Sequence, residues 1–63
     1  MKSNIAELRK EKGLLQGYVA KKIGVSQQTL SDWEREEAYP KYVHAYKLAK
    51  ILGVPMEKLY KEG

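Results

Sequence analysis

Residues 16–35 read QGYVAKKIGVSQQTLSDWER, and the fold of the whole 63-residue chain turns on how this stretch is read. Val19, Ala20 and Ile23 repeat at helical spacing, with Lys21 and Lys22 on the opposite face. Gly24 suits the left-handed residue that ends a helix. Ser26 is a good N-cap, which starts a further helix at Gln27 with Leu30 and Trp33 on its apolar side. Only Gly24-Val25-Ser26 separates the two helices, so they must cross steeply and approach closely at one point. A large side chain there would push them apart, and Ala20 is small. Val25 drops between the helices, and Val19, Ile23, Leu30 and Trp33 fill the surrounding space. Seven positions comply together with the packing of a helix-turn-helix over about 16–35, whose second helix projects and can enter the DNA major groove.

Outward from this pair, Asn4 followed by Glu7 forms a candidate capping box, with Ser3 as a second candidate cap. Ile5 and Leu8 share a face, and Gly13 stops a first helix expected over about 4–12. Pro40 disfavours helix at Tyr39. Tyr42, Ala45, Tyr46, Leu48, Ala49 and Leu52 then repeat at three and four, which predicts a fourth helix over about 41–52. Pro55 opens a fifth, with Met56, Leu59 and Tyr60 as its apolar set. No strand alternation, repeat or linker is evident. The expected fold is all-α: five short helices around one core in a single domain, residues 1–63.

Composition bounds the function. A domain this small buries only about 60% of its unfolded surface. There are no cysteines, which excludes disulfides, thiolate zinc sites and a cysteine nucleophile. No run approaches the roughly 20 apolar residues of a membrane span, and the N-terminus lacks the apolar core of a signal peptide. A cytoplasmic protein is expected. His44 stands alone with no second ligand type at metal spacing, so no metal and no cofactor are expected. No paired acid and base and no glycine-rich phosphate loop point to an enzyme. The formal charge of +4 is unevenly spread: residues 1–25 and 41–63 are basic, whereas 26–40 carry one base and four acids.

The chain resembles the lambda-repressor-like DNA-binding domains of the Cro/CI (XRE) type. The resemblance is carried by ELRKEKGL, Gln16, VAKKIGVSQQTLSDWE, the Tyr39-Pro40 pair and KLAKILGV, and it runs nearly end to end. It implies a sequence-specific regulator of transcription, most simply a repressor, binding a palindromic operator in double-stranded DNA as a homodimer. Gln27 and Gln28 open the recognition helix. A glutamine amide offers an acceptor and a donor in one plane, matching N6 and N7 of adenine. Ser31 and Asp32 occupy further base-facing positions by resemblance; Asp32 can accept from cytosine N4 but also repels phosphate. Gln16, Lys41, the backbone of Tyr42 and Arg35 are candidate phosphate contacts, and Thr29 either touches a phosphate or covers the turn. The resemblance also implies an Arg9–Glu34 ion pair that orients the recognition helix. Met56, Leu59 and Tyr60 are candidates for the dimer contact; the bland reading is that they close the core of a monomer. Trp33 reads as core and the tyrosines as packed rings with their hydroxyls at the surface.

Several residues depart from the family pattern. Leu15 stands where a polar cap is usual, Gly17 loosens the first turn of the second helix, and Glu36 and Glu37 replace the usual glycine and basic residue after the third. The acidic patch around Asp32, Glu36 and Glu37 supports an alternative reading, a protein-interaction module such as an antitoxin or partner-dependent regulator.

Overall fold

A computed structural model describes residues 1–62. Its elements are β1 (Lys2–Ser3), α1 (Ile5–Glu11), α2 (Gln16–Ile23), α3 (Gln27–Glu34), α4 (Tyr42–Leu52), a 3-10 turn (Met56–Leu59) and β2 (Tyr60–Lys61). The expectation of five helices is therefore corrected: among the described residues there are four α-helices, and a two-stranded sheet joins the two ends of the chain. β1 and β2 run antiparallel, with Lys2 opposite Lys61 and Ser3 opposite Tyr60. Asn4 N–H donates to the Leu59 carbonyl at 2.8 Å, and Asn4 Nδ2 donates to the Lys58 carbonyl at 3.2 Å. Asn4 thus does not form the capping box expected with Glu7. The sheet needs its amide as a tie, and Ser3 Oγ instead accepts from Ile5 N–H.

All four helices stop in the same way. A left-handed residue follows the last turn, and the next N–H reaches a carbonyl five residues back. Gly13, Gly24 and Gly53 fill three of these positions, with φ of 71°, 83° and 71°. The bonds are Leu14 to Arg9, Val25 to Ala20 and Val54 to Ala49, at 3.0–3.1 Å. The fourth stop, after α3, is built on Glu36, at φ 65°, with Glu37 N–H donating to the Asp32 carbonyl at 2.9 Å. A side chain in this conformation costs roughly 1–2 kcal/mol. Glu36 Oε2 offsets part of that strain by accepting from Ser3 N–H at 2.6 Å, which fastens the stop to β1.

The core is Ile5, Val19, Ala20, Ile23, Leu30, Trp33, Leu48, Ala49, Leu52 and Leu59. Ala20 is 1% exposed between α2 and α3, as a close crossing requires. α4 buries Leu48, Ala49 and Leu52, whereas Tyr42 and Tyr46, expected on its inner stripe, are exposed. Ala45, Leu48, Ala49 and Leu52 share the inward face, and Tyr42 and Tyr46 stand to one side of it. His44 is half-buried, with its ring 5.7 Å from that of Trp33.

Candidate nucleic-acid interface

α3 is held on one side and bare on the other. Leu30 and Trp33 are buried, while Gln27 and Gln28 at its start are exposed. Ser26 caps the helix, with Oγ accepting from Thr29 N–H at 3.0 Å. The Thr29 hydroxyl lies 2.9 Å from the same oxygen, so its side chain closes the turn.

The far end of α3 is tied to α1. Arg9 Nε donates to Glu34 Oε2 at 2.7 Å, with the two side chains only 11% and 7% exposed. Arg9 Nη2 reaches Glu34 Oε1 at 3.2 Å, and Nη1 donates to the Leu14 carbonyl at 2.9 Å. Glu34 Oε1 also accepts from Gln16 Nε2 at 2.9 Å. Gln16 Oε1 in turn accepts from Gln27 Nε2 at 3.1 Å. One connected network therefore runs from α1 through the carboxylate of α3 to the start of α2 and back to the first residue of α3. A carboxylate only accepts, so the order of donors and acceptors along the network is set by Glu34.

Further along the bare face, Gln28 Nε2 donates to Asp32 Oδ1 at 2.9 Å. Arg35 donates to the same oxygen at 2.7 Å, to Glu37 Oε2 at 3.0 Å and to Ser31 Oγ at 3.2 Å. Ser31 and Asp32, the other base-facing candidates, are thus gathered with Gln28 around one arginine. The acidic patch is not three free carboxylates. Asp32 and Glu37 are paired with Arg35, and Glu36 is bound to the backbone of β1.

The remaining candidates sit at helix starts or behind the core. Gln16 is the first residue of α2, whose N-cap, Leu15, supplies no side-chain hydrogen bond to its first turn. The first N–H groups of α2 are left for an outside acceptor, and an anion suits them. Lys41 caps α4 in an extended conformation, also without a side-chain bond; it is exposed, and Tyr42 beside it is 73% exposed. Met56 and Tyr60 are half-buried. Leu59, expected with them at a dimer contact, is 1% exposed; its side chain belongs to the chain's own core, because the 3-10 turn rotates it inward. The Tyr60 ring lies 5.7 Å from that of Tyr39, and its buried hydroxyl has no protein partner. Burial, then the neighbouring Tyr39 and Glu36, push the Tyr60 hydroxyl above its ordinary pKa. Sequence reasoning missed the Gln16–Gln27 bond and the contact of Glu36 with Ser3. Both join residues distant in sequence through side-chain geometry that no spacing rule encodes.

A model of the helix-turn-helix family matches residues 5–59. The chain belongs to the XRE-type helix-turn-helix family of transcriptional regulators. It is 50% identical over 52 residues to an uncharacterized HTH-type transcriptional regulator, y4dJ of Sinorhizobium fredii, covering 82% of this chain and 68% of that protein. It is 40% identical over 61 residues to RstR, a cryptic phage CTXphi transcriptional repressor of Vibrio cholerae. That match covers 97% of this chain but 55% of RstR. Among solved structures, the P22 c2 repressor in complex with a synthetic operator superposes with a TM-score of 0.86 at 33% identity, covering 92% of this chain and 88% of that one. Among the described residues of this XRE-type protein, no helix is long and apolar enough to cross a membrane, and no group of three or more metal-ligating side chains gathers.

Proposed function

We propose that this protein is a sequence-specific repressor that sets α3 in the major groove of double-stranded DNA and pairs with a second copy to read an inverted repeat. One observation carries the reading. The bare start of α3 presents two glutamine amides, one of them hydrogen-bonded to the residue that opens α2. Gln27 and Gln28 contact base edges, with Ser31 and Asp32 following one turn on. Gln16 and the free N–H groups of α2 meet one phosphate, and Lys41 with the Tyr42 backbone meets another. Arg35 exchanges an internal carboxylate for a phosphate oxygen on binding. The occlusion of a promoter by this contact is the repressing step. The kinship with RstR and with the operator-bound P22 c2 repressor supports it.

The pairing surface is formed by Met56 and Tyr60 with exposed Tyr39 beside them. Two copies related by a two-fold axis present their recognition helices about one DNA turn apart.

Selection of bound sequences from random duplexes tests the whole reading. An inverted repeat is expected, with Gln28→Ala relaxing preference at one base in each half and Lys41→Ala weakening all sequences alike. Affinity should fall steeply with salt, by roughly 0.9 of a log unit per log unit of salt for each phosphate contacted. Absence of duplex binding at low salt overturns the proposal.

A further inference from the structure

Gly17 is the residue of α2 for which the backbone offers no explanation. It lies inside the first turn, in helical rather than left-handed conformation, where glycine is poorer than alanine. Its surroundings do offer one. A Cβ placed on Gly17 would lie 3.2 Å from Gln27 Oε1 and 3.7 Å from Gln27 Cδ. Gln27 folds back over α2 at this point because its Nε2 donates to Gln16 Oε1 at 3.1 Å. Gln16 is itself oriented by Glu34, which takes its N–H at 2.9 Å. The Gln27 amide is thus gripped at its nitrogen by Gln16 and has its oxygen beside the side-chain position that Gly17 leaves empty. One N–H and the carbonyl oxygen remain for a ligand, which is the donor–acceptor pair that adenine N7 and N6 require.

We infer that Gly17 is a specificity-determining residue. Its missing side chain makes room for the Gln27 amide to lie in the orientation set by Glu34 and Gln16. A methyl group at position 17 crowds the amide oxygen by a few tenths of an ångström. The far end of a glutamine side chain yields more easily than helix backbone, so the amide turns and the helix stays. Base preference then loosens while the fold is kept or strengthened. The inference rests on the proposal that Gln27 reads a base, and it adds that Gly17 governs how Gln27 does so.

The test compares wild type, Gly17→Ala, Gln27→Ala and the double variant, each selected against random duplexes and then measured on the recovered site and its single-base variants. Gln27→Ala is expected to lose roughly 5- to 150-fold of discrimination at one position of each half-site, the range of a bidentate contact. Gly17→Ala should lose at least about threefold at that same position, with an unchanged or higher melting temperature. It should add nothing further in the Gln27→Ala background, since it acts through that amide. The side-chain NH2 resonances of Gln27 in free Gly17→Ala should move from their wild-type positions. If Gln27→Ala relaxes the position but Gly17→Ala keeps wild-type discrimination and resonances, Gly17 has no such role. If Gln27→Ala itself changes no base preference, the assignment of Gln27 to readout falls, and the role of Gly17 falls with it. An equal effect of Gly17→Ala with and without Gln27 assigns it to helix stability, which also overturns the inference.

Discussion

Replacing Glu34 with alanine should come close to unfolding this protein. Glu34 accepts two bonds from Arg9 and one from Gln16 while only 7% of its side chain is exposed. Its removal leaves the Arg9 guanidinium, 11% exposed, with the Leu14 carbonyl as its remaining acceptor. Removing one partner of a buried pair costs about 3–5 kcal/mol, because the surviving charge is stranded. A chain of 63 residues has a total stability of about 3–9 kcal/mol, so this loss is a large part of the whole. Urea unfolding followed by fluorescence of Trp33, which is 4% exposed in the core, gives the measurement. A double-mutant cycle with Arg9→Ala separates the pair from side-chain packing. The double variant should be less destabilised than the two singles added, by at least about 1 kcal/mol. A loss below about 1 kcal/mol for Glu34→Ala, or simple additivity, would refute the role given to this network.

At the α3 stop, Glu36→Ala and Glu36→Gly both lose the bond to Ser3 N–H, but only alanine keeps the left-handed strain. Thermal melts should place the glycine variant about 1 kcal/mol above alanine; equal melts would mean that φ stores no strain there. Ala20→Leu should cost at least about 1–3 kcal/mol by prising α2 from α3, and an unchanged melting point would show the crossing to be looser than its 1% exposure implies. Tyr60 holds its proton in the folded protein where an unfolded chain releases it near the ordinary 10.0. The stability it contributes is therefore full below about pH 10 and is lost as pH rises through the raised folded value. Tyr60→Phe should flatten the alkaline loss in urea titrations without lowering stability at pH 7, since the hydroxyl has no protein partner; parallel curves for the two proteins would argue against it.

The helix pair at the centre of the fold was legible because its constraints are local. Ala20, Gly24 and Ser26 answer to backbone conformation and close approach within a few residues. The ends were less legible. β1 and β2 have two residues each, too few for alternation to register, and what makes them strands is the meeting of distant termini. Glu36 hid the fourth stop for a related reason: glycine announces a left-handed turn, whereas a glutamate adopts one only where a partner such as Ser3 N–H lies within reach. At the candidate interface, residue types pointed to amides at the start of α3. The orientation of Gln27 depends on Gln16 and Glu34, which are placed by tertiary packing, whereas Gln28 is held by Asp32 one turn along the same helix.

The four acids between Ser26 and Pro40 appear in the composition as a negative segment that should disfavour DNA. Their partners give them another meaning. Glu34 sets the direction of the Gln16–Gln27 network, Asp32 receives Gln28 and Arg35, Glu37 receives Arg35, and Glu36 holds β1. Each is an acceptor that fixes a donor, and two of them fix the glutamines assigned to base reading. A basic protein docking on this face would have to pull the carboxylates from these partners. A phosphate needs Arg35 to change acceptors, while Gln16 keeps its bonds to Glu34 and Gln27 and the start of α2, which has no side-chain cap, offers its first N–H groups. The charge that would weaken binding at long range is therefore also what orients the amides at short range. For this reason the acidic middle of the chain fits a reader of duplex DNA better than a docking surface for a cationic partner.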